Sequence, residues 1–219
     1  MLLALETATN VCSVAYYDEN GNVYEQRTTQ RGTHSEQLFL FIEQLKDEHD
    51  FEIKDLEAVL VSEGPGSYTG LRISASAVKG LLFQTDVPLV GINTLASFAM
   101  QAQQGDPEAK HIHSIIDARR VHVYHQQLTF VDGELSTKDE VEVIPIKAFE
   151  KMLRSGETVI GTGLDRVNQQ ILSKTNTFGV DSITAKSLIR LYQSGVSDFY
   201  QIEDPELFEP KYYTSNQVS

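Results

Sequence analysis

Apolar and polar positions alternate along this chain with two different periods. Leu2 to Glu6 and Val11 to Tyr17 are short apolar runs, with the turn Thr7-Ala8-Thr9-Asn10 between them. Asp18-Glu19-Asn20-Gly21-Asn22 makes a second turn, and Val23 to Thr29 a third strand, so the chain is expected to open as an antiparallel meander. The period then lengthens. Leu38, Phe41, Ile42 and Leu45 share one face of a helix over Ser35 to Glu48, and Thr33 with Glu36 spells a capping box at its start, after the loop Gln30-Arg31-Gly32. Phe39 and Leu40 fall outside that face, and Leu40 sits among Glu36, Glu43 and Asp47, where solvent is expected. A buried strand over Leu56 to Ser62 follows, then a helix from about Thr69 to Phe83, a strand over Val87 to Ile92 and a helix over Thr94 to Gln103. Strands joined by helices predict a parallel α/β layer after the meander.

The strand over Leu56 to Ser62 runs into Glu63-Gly64-Pro65-Gly66-Ser67-Tyr68-Thr69-Gly70-Leu71-Arg72-Ile73. A strand, a glycine-rich turn and a helix start suit an anion, because the first helical N–H groups lack partners. The same residues also suit a tight turn with no ligand. Neither G-x-x-x-x-G-K-[ST] nor G-x-G-x-x-G is present. At 100° per residue, Gly70, Ser74, Ala77 and Leu81 form one stripe of the helix, and Leu71, Ala75, Val78 and Leu82 the next. Only Arg72 and Lys79 are charged, and they share the remaining narrow face with Ser76. The uncharged arc is roughly twice the ~100° stripe of an ordinary surface helix. Such a helix is either buried in its own domain or shared with a partner. With the surplus apolar positions of the preceding helix, the expected partner surface is Phe39, Leu40, Glu43, Gly70, Leu71, Ser74, Ala75, Val78 and Leu82. On that reading Ala75→Glu or Val78→Glu breaks an interface and leaves a folded chain.

Beyond Gln104-Gly105-Asp106-Pro107 the opening recurs. Ile115-Ile116-Asp117-Ala118, Val121 to Gln127 and Asp132-Gly133 echo Leu5-Glu6-Thr7-Ala8, Val11 to Tyr17 and Asn20-Gly21. Two related lobes are expected, 1–104 and a smaller 105–219, with the last helix and tail as candidates to pack back on the first lobe. Helices are expected over Lys147 to Arg154, Asp165 to Leu172 and Ala185 to Gln193, a strand over Thr158 to Gly161, and an irregular tail from Pro205 to Ser219. The second lobe should hold fewer strands than the first.

Composition narrows the function. A chain of 219 residues carries ample core for one large domain or two small lobes. Its formal charge of -13 is a poor footprint for gripping nucleic acid alone, so any basic surface should come from a partner. The single cysteine, Cys12, excludes an internal disulfide and suits a reducing cytosol. No apolar run approaches the ~18 residues of a membrane span, and Met1-Leu2-Leu3-Ala4-Leu5-Glu6 lacks the basic start of a signal peptide.

Candidate chemistry is sparse. Glu6 and Asp117 end strands at duplicated positions, where paired carboxylates suit a magnesium-bound phosphate and single ones suit turn caps. Asp117-Ala118-Arg119-Arg120 reads equally as a phosphate patch or a solvated turn. His111 and His113 alternate on one strand, while His122 and His125 point to opposite faces of another, so no four-histidine metal site is expected. His34 is expected to cap or to lie at the surface. Ser67 lacks the G-x-S-x-G elbow of a nucleophile.

Leu5-Glu6-Thr7-Ala8-Thr9 with Cys12-Ser13-Val14-Ala15, His34-Ser35-Glu36, Glu63 to Ile73 and Ile116-Asp117-Ala118-Arg119-Arg120 resemble the bacterial TsaB (YeaZ) family over nearly the full length. Glu209-Pro210-Lys211-Tyr212-Tyr213 resembles the family's closing Pro-x-Tyr. The resemblance implies an α/β, two-lobed actin-like/Hsp70-like (ASKHA, RNase H-like) fold with a reduced second lobe. It implies a cytoplasmic role in placing threonylcarbamoyl on adenosine 37 of tRNAs that read codons starting with A. There TsaB is a non-catalytic partner that docks the transferase TsaD through helices, the ATPase TsaE joins, TsaC makes the donor, and tRNA is met only indirectly. Alone, such a chain should pair with itself, and it should bind no cofactor of its own, with ATP or ADP entering only in the complex. The paralogue holds metal with two histidines four apart, where this chain has Thr94 and Phe98, neither a competent ligand set. That argues against a metalloprotease. Glu6 matches the paralogue rather than the family's usual Asp, which keeps a phosphotransferase or ATPase as the alternative, with Glu6, Asp117 and Arg119 as a vestigial nucleotide site.

Overall fold

Five successive buried residues follow Met1. β1 (Leu2–Glu6) is buried on both faces, as a central strand must be. β2 (Cys12–Tyr17) pairs antiparallel with it, and β3 (Val23–Thr28) antiparallel with β2, which is the expected meander. α1 (His34–His49) crosses to β4 (Ala58–Gly64), parallel to β1, and α2 (Tyr68–Leu81) crosses to β5 (Leu89–Asn93), parallel to β4. The computed structural model describes residues 1–30 and 32–214, with the side chains of 137 and 138 left aside. Arg31 of the expected loop and residues 215–219 of the expected tail lie outside the described residues.

The pattern recurs after α3 (Thr94–Gly105). β6 (His111–Asp117), β7 (His122–Val131) and β8 (Glu134–Lys138) form a second antiparallel meander, and β9 (Glu142–Pro145) also pairs with β7. After α4 (Ile146–Met152), β10 (Thr158–Gly161) lies parallel to β6, and after α5 (Gln169–Leu172), β11 (Asn176–Phe178) lies parallel to β10. α6 (Lys186–Gln193) and β12 (Tyr200–Glu203) complete the chain, and β12 pairs antiparallel with β5. The two sheets read β12-β5-β4-β1-β2-β3 and β11-β10-β6-β7-β8, the same order around β1 and around β6. This is the α/β duplication that the echo between Glu6 and Asp117 announces.

Two expectations fail here. Among the described residues the second sheet holds six strands, as the first does; the reduction lies in the helices, seven residues in α4 and four in α5 against 16 in α1 and 14 in α2. The short polar strands β8, β9, β11 and β12 carry too little apolar alternation to be read from sequence. The chain divides into Met1–Thr94 with Thr184–Lys211, and Leu95–Ile183 with the described residues after Lys211. The boundary falls ten residues before the expected one. The reason is that Phe98, Ala99 and Ala102 of α3 are fully buried and Gly105 abuts the Phe178 ring, which joins α3 to the second unit.

In the first unit, alternation sends Leu3, Leu5, Val14, Val59 and Val61 to one face of the sheet, where Leu38, Ile42 and Leu45 of α1 and Ala75 and Val78 of α2 close a core. α6 lies against β1, β2 and β4, its start fixed by Ala185 N–H donating to Ser13 Oγ at 2.8 Å and Thr184 Oγ1 donating to Glu25. Phe208 of the irregular tail enters the same core. The second unit has a smaller core around Ile115, Val123, Phe149, Val159, Val167 and Leu172.

Candidate functional site

The glycine-rich turn works first as a packing joint. A Cβ on Gly70 would sit 2.0 Å from Thr7 O, and one on Gly66 2.5 Å from Ala8 O, so only glycine lets the turn lie against the β1–β2 hairpin. Three of the turn's N–H groups have acceptors within the unit. Ser67 N–H donates to Ala8 O at 2.6 Å, Gly64 N–H to Thr94 Oγ1 at 3.1 Å, and Gly70 N–H to Ser67 Oγ at 3.4 Å, while Thr7 Oγ1 donates to Gly70 O at 2.8 Å. Of the two readings, tight turn and anion cradle, this geometry favours the turn. Ser67 is the N-cap of α2 and shows no base beside it.

α2 is buried in its own unit rather than shared. Gly70, Leu71, Ser74, Ala75, Val78 and Leu82, read from sequence as partner surface, are all buried, Ala75 at 6% exposure and Val78 at none. α1 and the sheet supply the cover that sequence reasoning assigned to a second chain. Ala75→Glu or Val78→Glu would therefore place a charge in the core and unfold the unit. The exposed face of α2 is instead Tyr68, Arg72, Ser76, Lys79 and then Phe83, with Tyr68 51% and Phe83 65% exposed and Ile73 half-buried at its edge. The Arg72 guanidinium lies 4.0 Å over the Tyr68 ring. Sequence reading missed Tyr68 and Phe83 because they stand on the narrow charged face; a large aromatic on a charged face was the available signal.

α1 keeps its expected outer face. Phe39 and Leu40 are 48% and 53% exposed, with Glu43 exposed between them. Leu38, Phe41, Ile42 and Leu45 point inward as read. The capping box does not form: Thr33 Oγ1 donates to Gln30 O at 3.0 Å instead of accepting from the helix. His34 is 8% exposed, its Nε2 3.0 Å from Thr9 O, so it is an inward anchor of the hairpin rather than a surface residue.

The duplicated acids have opposite environments. Glu6 has no exposure; its Oε1 accepts from Ala8 N–H at 2.7 Å and its Oε2 from Ser62 Oγ. Burial pushes its carboxyl up to about 7, against the lowering effect of those two donors. It also contributes, after burial itself, to holding the Cys12 thiol at about 12. With both oxygens engaged, Glu6 offers no open edge to a metal. Asp117 is 38% exposed and pairs with Arg166, while its Oδ1 accepts from Arg119 N–H at 2.8 Å. Arg119 and Arg120 are exposed in left-handed backbone at φ 67° and 50°, the tip of the β6–β7 hairpin.

Two of the four histidines meet. His113 and His125 meet as diagonal neighbours across β6 and β7, His113 Nδ1 lying 2.9 Å from His125 Nε2 and His113 Nε2 3.2 Å from Glu157 Oε2. The carboxylate requires a proton on His113 Nε2, so His125 Nε2–H donates to His113 Nδ1. Burial holds both imidazoles below their usual range, His125 at about 3 with His113 as the second cause. His111 and His122 take no part, and among the described residues no three His, Cys, Asp or Glu converge as a metal cluster. Thr94 and Phe98 are fully buried.

The comparisons agree with this picture. The family model for tRNA N6-adenosine threonylcarbamoyltransferase matches residues 24–181. The chain is 30% identical over 166 residues to the tRNA threonylcarbamoyladenosine biosynthesis protein TsaB of Escherichia coli, covering 74% of this chain and 71% of that one. It is 32% identical over 127 residues to the TsaB of Haemophilus influenzae, spanning 58% of this chain and about half, 53%, of that relative's length. A solved Pseudomonas aeruginosa structure, described as similar to peptidase YeaZ, matches with a TM-score of 0.81 at 25% identity, over 96% of this chain and 98% of that one. No helix among the described residues is long and apolar enough to cross a membrane. A buried glycine-rich joint, a duplicated sheet and an exposed helical face thus sit in a chain that belongs to the TsaB (YeaZ) family, within the wider threonylcarbamoyltransferase family.

Proposed function

We propose that this chain is a non-catalytic subunit of the cytoplasmic assembly that places threonylcarbamoyl on adenosine 37 of tRNAs reading ANN codons. The observation that carries the reading is the outer face of α1, where Phe39 and Leu40 stand side by side about half exposed on one helix. Family membership supports the pathway, and the enclosed Glu6 supports the absence of catalysis. The chain docks the catalytic paralogue, TsaD, through α1 and the exposed strip of α2, with TsaE joining the assembly. The chain alone binds no nucleotide; ATP or ADP enters with the complex, and tRNA is met through the partner. Without the paralogue the same surface pairs with a second copy. Acidic Glu36, Glu43 and Asp47 on α1 and basic Arg72 and Lys79 on α2 complement each other in such a pairing.

Phe39→Glu and Leu40→Glu test the reading. Both side chains are exposed, so each variant should fold with stability within about 0.5 kcal/mol of the parent. Each should lose co-purification with TsaD, and threonylcarbamoylation of tRNA by the purified assembly should fall with it. Native co-purification by both variants would place the interface elsewhere. The second reading, a phosphotransferase or ATPase of the same fold, needs Glu6 and Asp117 on magnesium, and the enclosure of Glu6 weighs against it. Sustained ATP turnover by the isolated chain, abolished in Glu6→Gln, would establish it.

A further inference from the structure

β4 ends in a bulge at Glu63, where its register with β5 shifts between Ser62 and Gly64. The bulge turns Glu63 against the tail. Lys211 N–H donates to Glu63 O at 2.7 Å and Lys211 Nζ to Glu63 Oε1 at 2.9 Å. Glu63 Oε2 receives no donor from any described protein group, although the residue is only 4% exposed. That oxygen points over Gly91 of β5. A Cβ on Gly91 would sit 2.9 Å from Glu63 Oε2, 3.3 Å from Glu203 Cγ and 3.4 Å from Glu203 Oε1. Two carboxylates from β4 and β12 thus converge over a notch that exists only because residue 91 lacks a side chain. Glu203 Oε1 accepts from Gln201 Nε2, and among the described residues Lys211 is the cation paired with Glu63.

We propose that the notch over Gly91 binds one hard divalent cation of the magnesium class through Glu63 and Glu203. The charges favour it: two carboxylates face one ammonium, so the site carries a net charge of -1 in a chain of -13. Burying a carboxylate oxygen without a partner is costly, and a cation removes that cost. Burial is the largest cause that raises the Glu63 carboxyl and Glu203 adds to it, while Lys211 acts in the opposite direction. All-oxygen donors exclude zinc and iron as the preferred metals. Magnesium binds through one or two carboxylates and keeps several of its waters, so two protein ligands suffice. The site lies wholly within the first unit and is independent of the docking surface on α1 and α2.

Titration of the purified full chain with Mn²⁺, followed by electron paramagnetic resonance, tests the proposal. One Mn²⁺ per chain should bind and be displaced by Mg²⁺. At ten times Kd, Mg²⁺ should raise Tm by about 3–6 °C over NaCl of equal ionic strength. Glu203→Gln, at a partly exposed strand end, should keep the fold and weaken Mn²⁺ at least about tenfold, as loss of one of two charged ligands requires. Gly91→Ala should fill the notch and do the same; if it fails to fold, Glu203→Gln still decides. No Mn²⁺ bound at millimolar concentration, or unchanged affinity in Glu203→Gln, overturns the proposal. So does a Tm that rises on acidification only while Glu203 is present, with no Mn²⁺ bound, since the two carboxyls then share a proton.

Discussion

The two units repeat one strand order and use it in opposite ways. Around β1 the hairpin turn Thr7-Ala8-Thr9 is buried, its acid Glu6 is sealed, and the following turn is packed by Gly66 and Gly70. Around β6 the equivalent hairpin ends in exposed Arg119 and Arg120, and its acid Asp117 is half-buried beside Arg166. The turns after β4 and β10 keep the same device, a glycine in left-handed backbone at Gly64 (φ 120°) and at Gly161 (φ 138°). A Cβ on Gly161 would sit 1.7 Å from Ile115 O. Duplicated topology thus preserves the backbone joint, while helix length decides what each joint supports: 14 residues of α2 in one unit, four of α5 in the other. A long helix can bury a wide apolar arc; a single turn cannot.

The sharpest way to separate the units is pH. Glu6 is raised to about 7 in the fold, so its contribution is fully present below the ordinary carboxyl range and is lost as pH rises through 7. His125 is lowered to about 3, so the second unit loses stability as pH falls below the ordinary imidazole value of 6.5. Between pH 8 and pH 5 the first unit should gain about 2 kcal/mol from Glu6 and the second lose about 2 kcal/mol through His125. A whole-chain melt nearly cancels the two. Hydrogen exchange resolved by strand should show β1 and β4 better protected and β6 and β7 less protected at pH 5, after correction for intrinsic rates. Glu6→Gln should reduce the first response alone and His125→Phe the second alone, Glu63 and His113 supplying what remains; parallel responses in both units would break the contrast.

An effect of similar size distinguishes the two faces of α2. Gly70→Ala should cost about 2–3 kcal/mol, because its Cβ meets backbone oxygen that cannot swing away. Gly80→Ala, with nothing within 4 Å, should stabilise by about 0.5–1 kcal/mol through helix propensity. Urea midpoints of the two variants check both signs. The smallest effect is expected at the second acid. Asp117→Asn removes an ion pair that is partly solvated and should cost less than about 1 kcal/mol by chemical denaturation. A larger loss would mean that Asp117 is as structural as Glu6.

Much of this was legible in one dimension. The meander, the parallel crossover strands, the inward face of α1 and the duplication around Glu6 and Asp117 all follow from short-range period and turn chemistry, which act through neighbours in sequence. The outward Phe39 and Leu40 were legible for the same reason, since acids surround them on the helix. The face of α2 was not. Its apolar arc could be covered by its own unit or by another chain, and periodicity measures how much surface must be hidden without saying by what. The His113–His125 contact was hidden because it depends on the register of β6 against β7, and the notch at Gly91 because Glu63, Gly91 and Glu203 lie on three separate strands.

The sequence by itself determined the α/β class, the order of the leading elements, the glycines at the turn and the family likeness. Each of these is set by backbone freedom or by the spacing of apolar side chains, which are properties of the chain as written. Only the tertiary structure decided that α2 is core, that Glu6 is sealed while Asp117 is not, and that α3 joins the second unit. Those outcomes rest on which surfaces meet, and burial, pairing and proton affinity exist only once they have met.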